Sequence, residues 1–275
     1  MPTFVLPFPL INPILFQWGP LAIRWYALAY IVGLIAGWAL LRRVVADDSL
    51  WGGATRPSRD SIDDLLVYCA LGVVIGGRLG NVLFYDPGYY FSHPWEILKV
   101  WKGGMAFHGG LLGVIGAMTL FAWRRHRSPA DVYDFTSPLP ALGLFFGRIG
   151  NFINGELWGK VTTVPWGFKV NGEVRHASQL YEATLEGLLL FIILWWFTSS
   201  PRPRLAPSGL FLLLYGLARS LVEFVRVPDE HIGYLAGGWL TEGQILSLPM
   251  IIAGIALLVW AYRARVPSGN YAMAR

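Results

Sequence analysis

Charged side chains are scarce in this chain, at 14% of its 275 residues. Soluble domains carry about 25%, and the shortfall goes with 55% hydrophobic residues and a mean hydropathy of +0.48. These values exclude an ordinary soluble domain and place the chain in the membrane class. Cysteine is rarer still. Cys69 stands alone, so no internal disulfide can form, and within LLVYCALGVVIG it reads as a small buried apolar residue. The five histidines show no H-x-x-x-H spacing, which argues against a metal, and nothing in the sequence asks for a cofactor. Neither a G-x-S-x-G elbow nor a plausible Ser–His–Asp set is present, which argues against an intramembrane serine protease. The N-terminus MPTFVLPFPLINPILF lacks a basic n-region and is rich in proline. A cleavable signal peptide is therefore not expected, and the first spanning segment would serve as the targeting signal.

Long apolar runs are abundant. A helix of about 20 largely apolar residues crosses a bilayer, and seven segments qualify, at about 21–41, 61–82, 105–123, 131–150, 180–198, 207–226 and 241–262. The stretch 5–16 is too short and proline-broken to span, and reads as an interfacial or re-entrant piece. Basic residues set the orientation. Arg42, Arg43, Arg56, Arg59, Arg124, Arg125, Arg127, Arg202, Arg204, Arg263, Arg265 and Arg275, twelve of the 22 Lys and Arg, follow spans one, three, five and seven. The positive-inside rule makes that face cytoplasmic, with the N-terminus outside and the C-terminus inside. The net charge of +5 mostly reflects these anchors and calls for no nucleic-acid partner. The expected fold is an all-α polytopic membrane protein of about seven transmembrane helices. It forms one integral domain over 1–275, with an outer-face insertion at about 151–179. Within that insertion, Asn171-Gly172 suggests a small hairpin.

Three arginines, Arg78, Arg148 and Arg219, remain inside spans, toward their outer ends. Intramembrane charge is costly and usually faces a polar pathway or site; snorkelling to the headgroups is the plainer alternative. Tyr215, Arg219 and Glu223 are four apart and share one helix face, which Arg226 extends. The pair could be interhelical glue, but the aligned tyrosine favours a ligand-binding face. Arg148 sits in GLFFGRIGNFINGELWGK, where Gly147, Gly150, Gly155 and Gly159 permit close approach and irregular backbone. Asn151, Asn154 and Glu156 supply polar groups where that helix must end. Irregular backbone at this depth must be buried in protein or line a wet cavity. The motif GGRLGN at 76–81 echoes GRIGN and reads as a supporting copy, with Arg78 near the same region. His108, among glycines at the start of span three, is either a structural hydrogen-bonder or a candidate general base. Arg175, His176, Gln179, Tyr181 and Glu182 lead into span five at the same level. Several arginines at outer-leaflet depth suit a lipid phosphate, because the guanidinium fork matches its oxygens.

The run GRIGNFINGELWGK, with FHGGLLG, RHASQLYEA and YGLARSLVEFVR, resembles the prolipoprotein diacylglyceryl transferase family of bacterial inner membranes. The resemblance runs in order from WYALAY at 25–30 through the last span. It implies transfer of the diacylglyceryl group of phosphatidylglycerol to the lipobox cysteine thiol of a prolipoprotein, at the periplasmic face. A thioether forms and glycerol phosphate leaves. Membrane lipids and the prolipoprotein signal peptide would be its partners. By resemblance Arg148 and Arg219 stabilise the leaving phosphate, Arg226 contacts lipid and His108 activates the thiol. Tyr26, Asn151, Glu156, Gly159, Tyr215 and Glu223 also fall on family positions linked to function, while Asp134 matches another that reads as structural. Asn81, Ala177 and Lys160 depart from the usual Tyr, Pro and Arg. The competing class is a phospholipid or anion transporter, hinted at by the near repeat GRLGN/GRIGN; both copies end spans of one orientation, so no inverted repeat is implied.

Overall fold

The computed structural model describes residues 6–19, 21–47, 57–228 and 233–268. Val5, Arg56 and Arg275, and part of the 227–240 loop, lie outside the described residues. Three short strands come first, β1 (Leu6–Pro7), β2 (Ile14–Trp18) and β3 (Leu21–Arg24), followed by helices α1 (Trp25–Val44), α2 (Arg59–Phe84) and α3 (Pro87–Ser92). Two 3-10 turns lead to α4 (Phe107–Arg124), α5 (Pro129–Thr136) and α6 (Leu139–Asn154). Strands β4 (Phe168–Val170) and β5 (Glu173–Arg175) precede α7 (Ser178–Glu182), which runs through a π-helical turn, Ala183–Leu189, into α8 (Leu190–Thr198). Helices α9 (Ala206–Glu223) and α10 (Glu242–Ala264) complete the order.

Among the described residues four helices are long and apolar enough to cross a membrane: Trp25–Val44, Arg59–Phe84, Ser178–Thr198 and Glu242–Ala264. Their outward faces carry bare aliphatic side chains such as Ile35, Ile75, Leu189 and Ile252, each 45–59% exposed. In water such a surface would drive aggregation; in lipid it is the required solvent contact. Helices α4, α6 and α9 occupy three further expected segments. The 16 residues of α6 reach only about 24 Å, and α4 and α9 give positions to Gly, His, Arg and Glu.

Two expected boundaries change. The continuous span 131–150 is two helices, because the Ser137-Pro138 step interrupts it between α5 and α6. Proline has no N–H to donate and its ring crowds the preceding turn. The first span begins at Trp25, since residues 21–24 pair as β3 with β2 in an antiparallel hairpin. The hairpin expected at Asn171-Gly172 is present: both residues have positive φ, 49° and 88°, and β4 pairs antiparallel with β5. That combination is a primed turn, whose twist matches its strands. Cys69 is partly rather than fully buried.

Packing divides the chain into two compact units, Met1–Leu40 with Asp134–Pro267, and Leu41–Tyr133 with Ser268–Arg275. In the second, α2 lies against α4 along Gly72, Gly76 and Gly80 facing Gly109 and Gly113. A Cβ on Gly72 would stand 2.6 Å from the Gly113 carbonyl oxygen, so the small residues permit backbone contact between helices. In the first unit, Ala141, Leu190 and Leu194 form a core against which Leu210, Phe211 and Leu214 of α9 pack. Asp134 fastens the start of α9, accepting from Leu205 N at 2.7 Å, Ser208 N at 3.2 Å and Ser208 Oγ at 2.6 Å. These amides are among the unsatisfied donors of a helix start, and a carboxylate there also favours the helix dipole.

Candidate active site

Five charged residues of the first unit converge. Arg148 comes from α6, Glu182 ends α7, Arg219 and Glu223 lie one turn apart on α9, and Arg226 follows that helix. Glu182 is the hub. Its fully buried carboxylate meets Arg148 Nε at 2.9 Å and Arg219 Nη1 at 2.8 Å, and Arg226 Nη1 also donates to it. Glu223 takes the other edge of the cluster, 2.5 Å from Arg219 Nη2 and 3.2 Å from Arg226 Nε. Thr241 Oγ1 donates to Glu223 at 2.7 Å, tying in the start of α10, whose capping box Thr241 and Gln244 form.

The cations are held but not exhausted. The side chains of Arg148, Arg219 and Arg226 are 21%, 17% and 11% exposed, while Glu182 and Glu223 are 0% and 4%. Among the described residues Nη2 of Arg148 and of Arg226 makes no hydrogen bond. Buried carboxylates thus orient three guanidinium groups, two of which keep an Nη2 donor without a hydrogen bond. Such preorganised donors bind an anionic oxygen without first reorganising, and a phosphate presents two or more.

A second polar group continues from Arg148. Its Nη1 donates to Asn151 Oδ1 at 3.4 Å, and Asn151 Nδ2 donates to Glu156 Oε1 at 2.6 Å, where Asn154 Nδ2 also arrives at 3.3 Å. The Tyr26 hydroxyl lies beside Asn151 and shares a hydrogen bond of 3.0 Å with Tyr30. The chain turns here because α6 ends at Gly155, left-handed at φ 69°, a conformation glycine adopts without a Cβ clash. Gly159 marks a crossing of three segments. Its N–H donates to the His176 carbonyl at 2.9 Å and it bridges to Arg226, and a Cβ would lie 2.5 Å from the Val225 carbonyl oxygen. Outside the spans, burial and the nearby Lys160 push the His176 imidazole below its ordinary value.

The family model described as prolipoprotein diacylglyceryl transferase matches residues 13–260. Proteins named phosphatidylglycerol–prolipoprotein diacylglyceryl transferase match along nearly their whole length. The Oleidesulfovibrio alaskensis protein is 53% identical, covering 94% of this chain and 96% of its own. That of Nitratidesulfovibrio vulgaris is 55% identical over 92% and 96%, and that of Pseudomonas aeruginosa 52% over 94% and 97%. The chain belongs to the prolipoprotein diacylglyceryl transferase family.

For this family member, the structure brings together Arg148, Arg219, Glu223 and Arg226, with Tyr215 on the same face of α9, and links Tyr26, Glu156 and Arg148 through Asn151. His108 stands in the second unit, exposed at the start of α4 with its ring edge-on to Phe107. Arg78 is also in that unit and is 4% exposed. It donates to the carbonyls of Ile97 at 2.8 Å, Gly103 at 2.6 Å, Gly104 at 3.1 Å and Glu96 at 2.5 Å, and lies over the Tyr90 ring. Its donors are committed to folding the 94–104 loop. The arginine pattern alone gives Glu182 no role of its own and does not single out Glu186. The signal was there: two acids four apart in an apolar span deserve the reasoning applied to Arg219.

Proposed function

We propose that this chain transfers the diacylglyceryl group of phosphatidylglycerol to the lipobox cysteine thiol of a prolipoprotein. The observation that carries the reading is the set of three guanidinium groups fixed by Glu182 and Glu223 with donors left over. They hold the headgroup phosphate. The cysteine sulfur, as thiolate, attacks the phosphate-bearing carbon of the diacylglycerol. The C–O bond breaks, its electron pair leaves on that oxygen, and the arginines stabilise the charge developing there. The products are a thioether and glycerol phosphate. A free thiol has a pKa of about 8.5, so a base must take its proton; His108 is the residue proposed for this. Tyr26, Asn151 and Glu156 shape the polar wall beside Arg148, Gly159 lets the Arg226 segment approach, and Tyr215, packed against the core one turn before Arg219, completes the substrate face.

The setting proposed is the bacterial inner membrane, with one integral domain of seven spans, the N-terminus outside, the C-terminus cytoplasmic and the site toward the periplasm. The arginine distribution and the helices at all seven expected segments support it. Family membership does not favour the transporter alternative. Purified protein in detergent, given phosphatidylglycerol and a lipobox peptide, should yield a thioether-linked product by mass spectrometry. Folded protein that binds both and forms none would sink the reading.

A further inference from the structure

Glu186 belongs to the π-helical turn that follows the hub residue Glu182. It is fully buried, lies 3.9 Å from Arg219 Nη1, and among the described residues neither of its carboxyl oxygens has a hydrogen-bond partner. A buried carboxylate without hydrogen bonds is costly, and π turns of this kind occur frequently at functional sites. The turn is also clamped: a Cβ on its Gly187 would lie 2.6 Å from Phe145 Cβ, so Glu186 is held at the cluster by close packing.

The charges leave one cation over. Glu182 and Glu223 offset two of the three guanidinium groups, and the third is offset either by an ionised Glu186 or by an anionic oxygen from a ligand. The titratable and charged groups facing Glu186 are Arg219 and Tyr215 on α9, Glu182 at the end of α7, Arg148 on α6 and Arg226 beyond α9. We propose that Glu186 is a proton-linked positioning residue: when a phosphate ester occupies the arginines, Glu186 takes up a proton, and the ligand's charge replaces its own. The proposal rests on the reading that these arginines hold a phosphate headgroup.

The test is calorimetric titration of the full-length protein in detergent, in two buffers of different ionisation enthalpy. One arm uses short-chain phosphatidylglycerol and the other glycerophosphoglycerol, the same headgroup without acyl chains. Binding in either arm should take up protons and weaken as pH rises, by up to about tenfold per pH unit. Glu186→Gln should bind with little pH dependence, and Glu186→Asp should restore the slope. His108 and His176 are intact in both variants, so a slope arising from them would survive the Gln change. Binding without proton uptake in the wild type overturns the proposal and needs no variant to fold. An unchanged slope in Glu186→Gln also overturns it while leaving the headgroup reading standing. No binding in either arm removes both.

Discussion

Replacing Glu182 with Gln should destabilise this protein by about 3 kcal/mol, near the lower end of the cost of breaking a buried ion pair. The structure sets that level. Glu182 is fully buried and faces three arginines, but two of them keep a second carboxylate. Arg219 retains Glu223 at 2.5 Å and Arg226 retains it at 3.2 Å. Only Arg148 is left without an anion, and its 21% exposure allows partial hydration. At about 2–4 °C per kcal/mol for a protein of this size, Tm should fall by about 6–12 °C. The assay is thermal unfolding in detergent followed by Trp fluorescence. Glu173→Gln is the control, because Glu173 pairs with Arg175 at 53% and 31% exposure, and such surface pairs contribute about 0–1 kcal/mol. Equal, small shifts in both variants would refute the assignment of Glu182 as the hub.

Arg78→Lys should loosen the 94–104 loop, since one ammonium cannot reach the four carbonyls that the guanidinium fork serves; limited proteolysis should cut there faster than in wild type. Gly76→Val should cost about 1–3 kcal/mol by overpacking, because its Cβ would overlap the Gly109 carbonyl, and a Tm equal to wild type would contradict the α2–α4 contact. His176, lowered first by burial and then by Lys160, should titrate by NMR below its ordinary 6.5. Its depressed folded value means that the unfolded chain binds the proton first, so stability should fall as pH drops below that ordinary value, and not as pH rises. Glu96 is held at about 2 by Lys102 and Lys99, so its loop ion cluster should stay charged down to about that pH.

What could be read in advance follows from the range of each signal. Arg148 and Arg219 announce themselves because a cation in an apolar span is unusual on its own, and Glu223 follows from four-residue spacing. The Asn171-Gly172 hairpin is equally local, since its turn requires two residues tolerant of positive φ. Arg78 shares the sequence signal of Arg148, yet its partners are backbone carbonyls some twenty residues away, which no residue type betrays. The convergence of Arg148, Arg219 and Arg226 on Glu182 is a tertiary fact drawn from α6, α7 and α9. The break in 131–150 was marked by Pro138, whose effect a count of apolar residues ignores.

In the proposed reaction Arg148 acts on the headgroup phosphate and does not merely tie helices together. Turnover and Tm measured side by side for Arg148→Ala and Arg148→Lys test it most directly. Removing Arg148 leaves Glu182 paired with Arg219 and Arg226, so the Tm loss should be smaller than for Glu182→Gln. Thioether formation should nonetheless fall by at least about 100-fold in both variants. Near-normal turnover in either, or turnover that falls only in proportion to lost folded protein, would leave Arg148 as a helix tie with no part in the transfer.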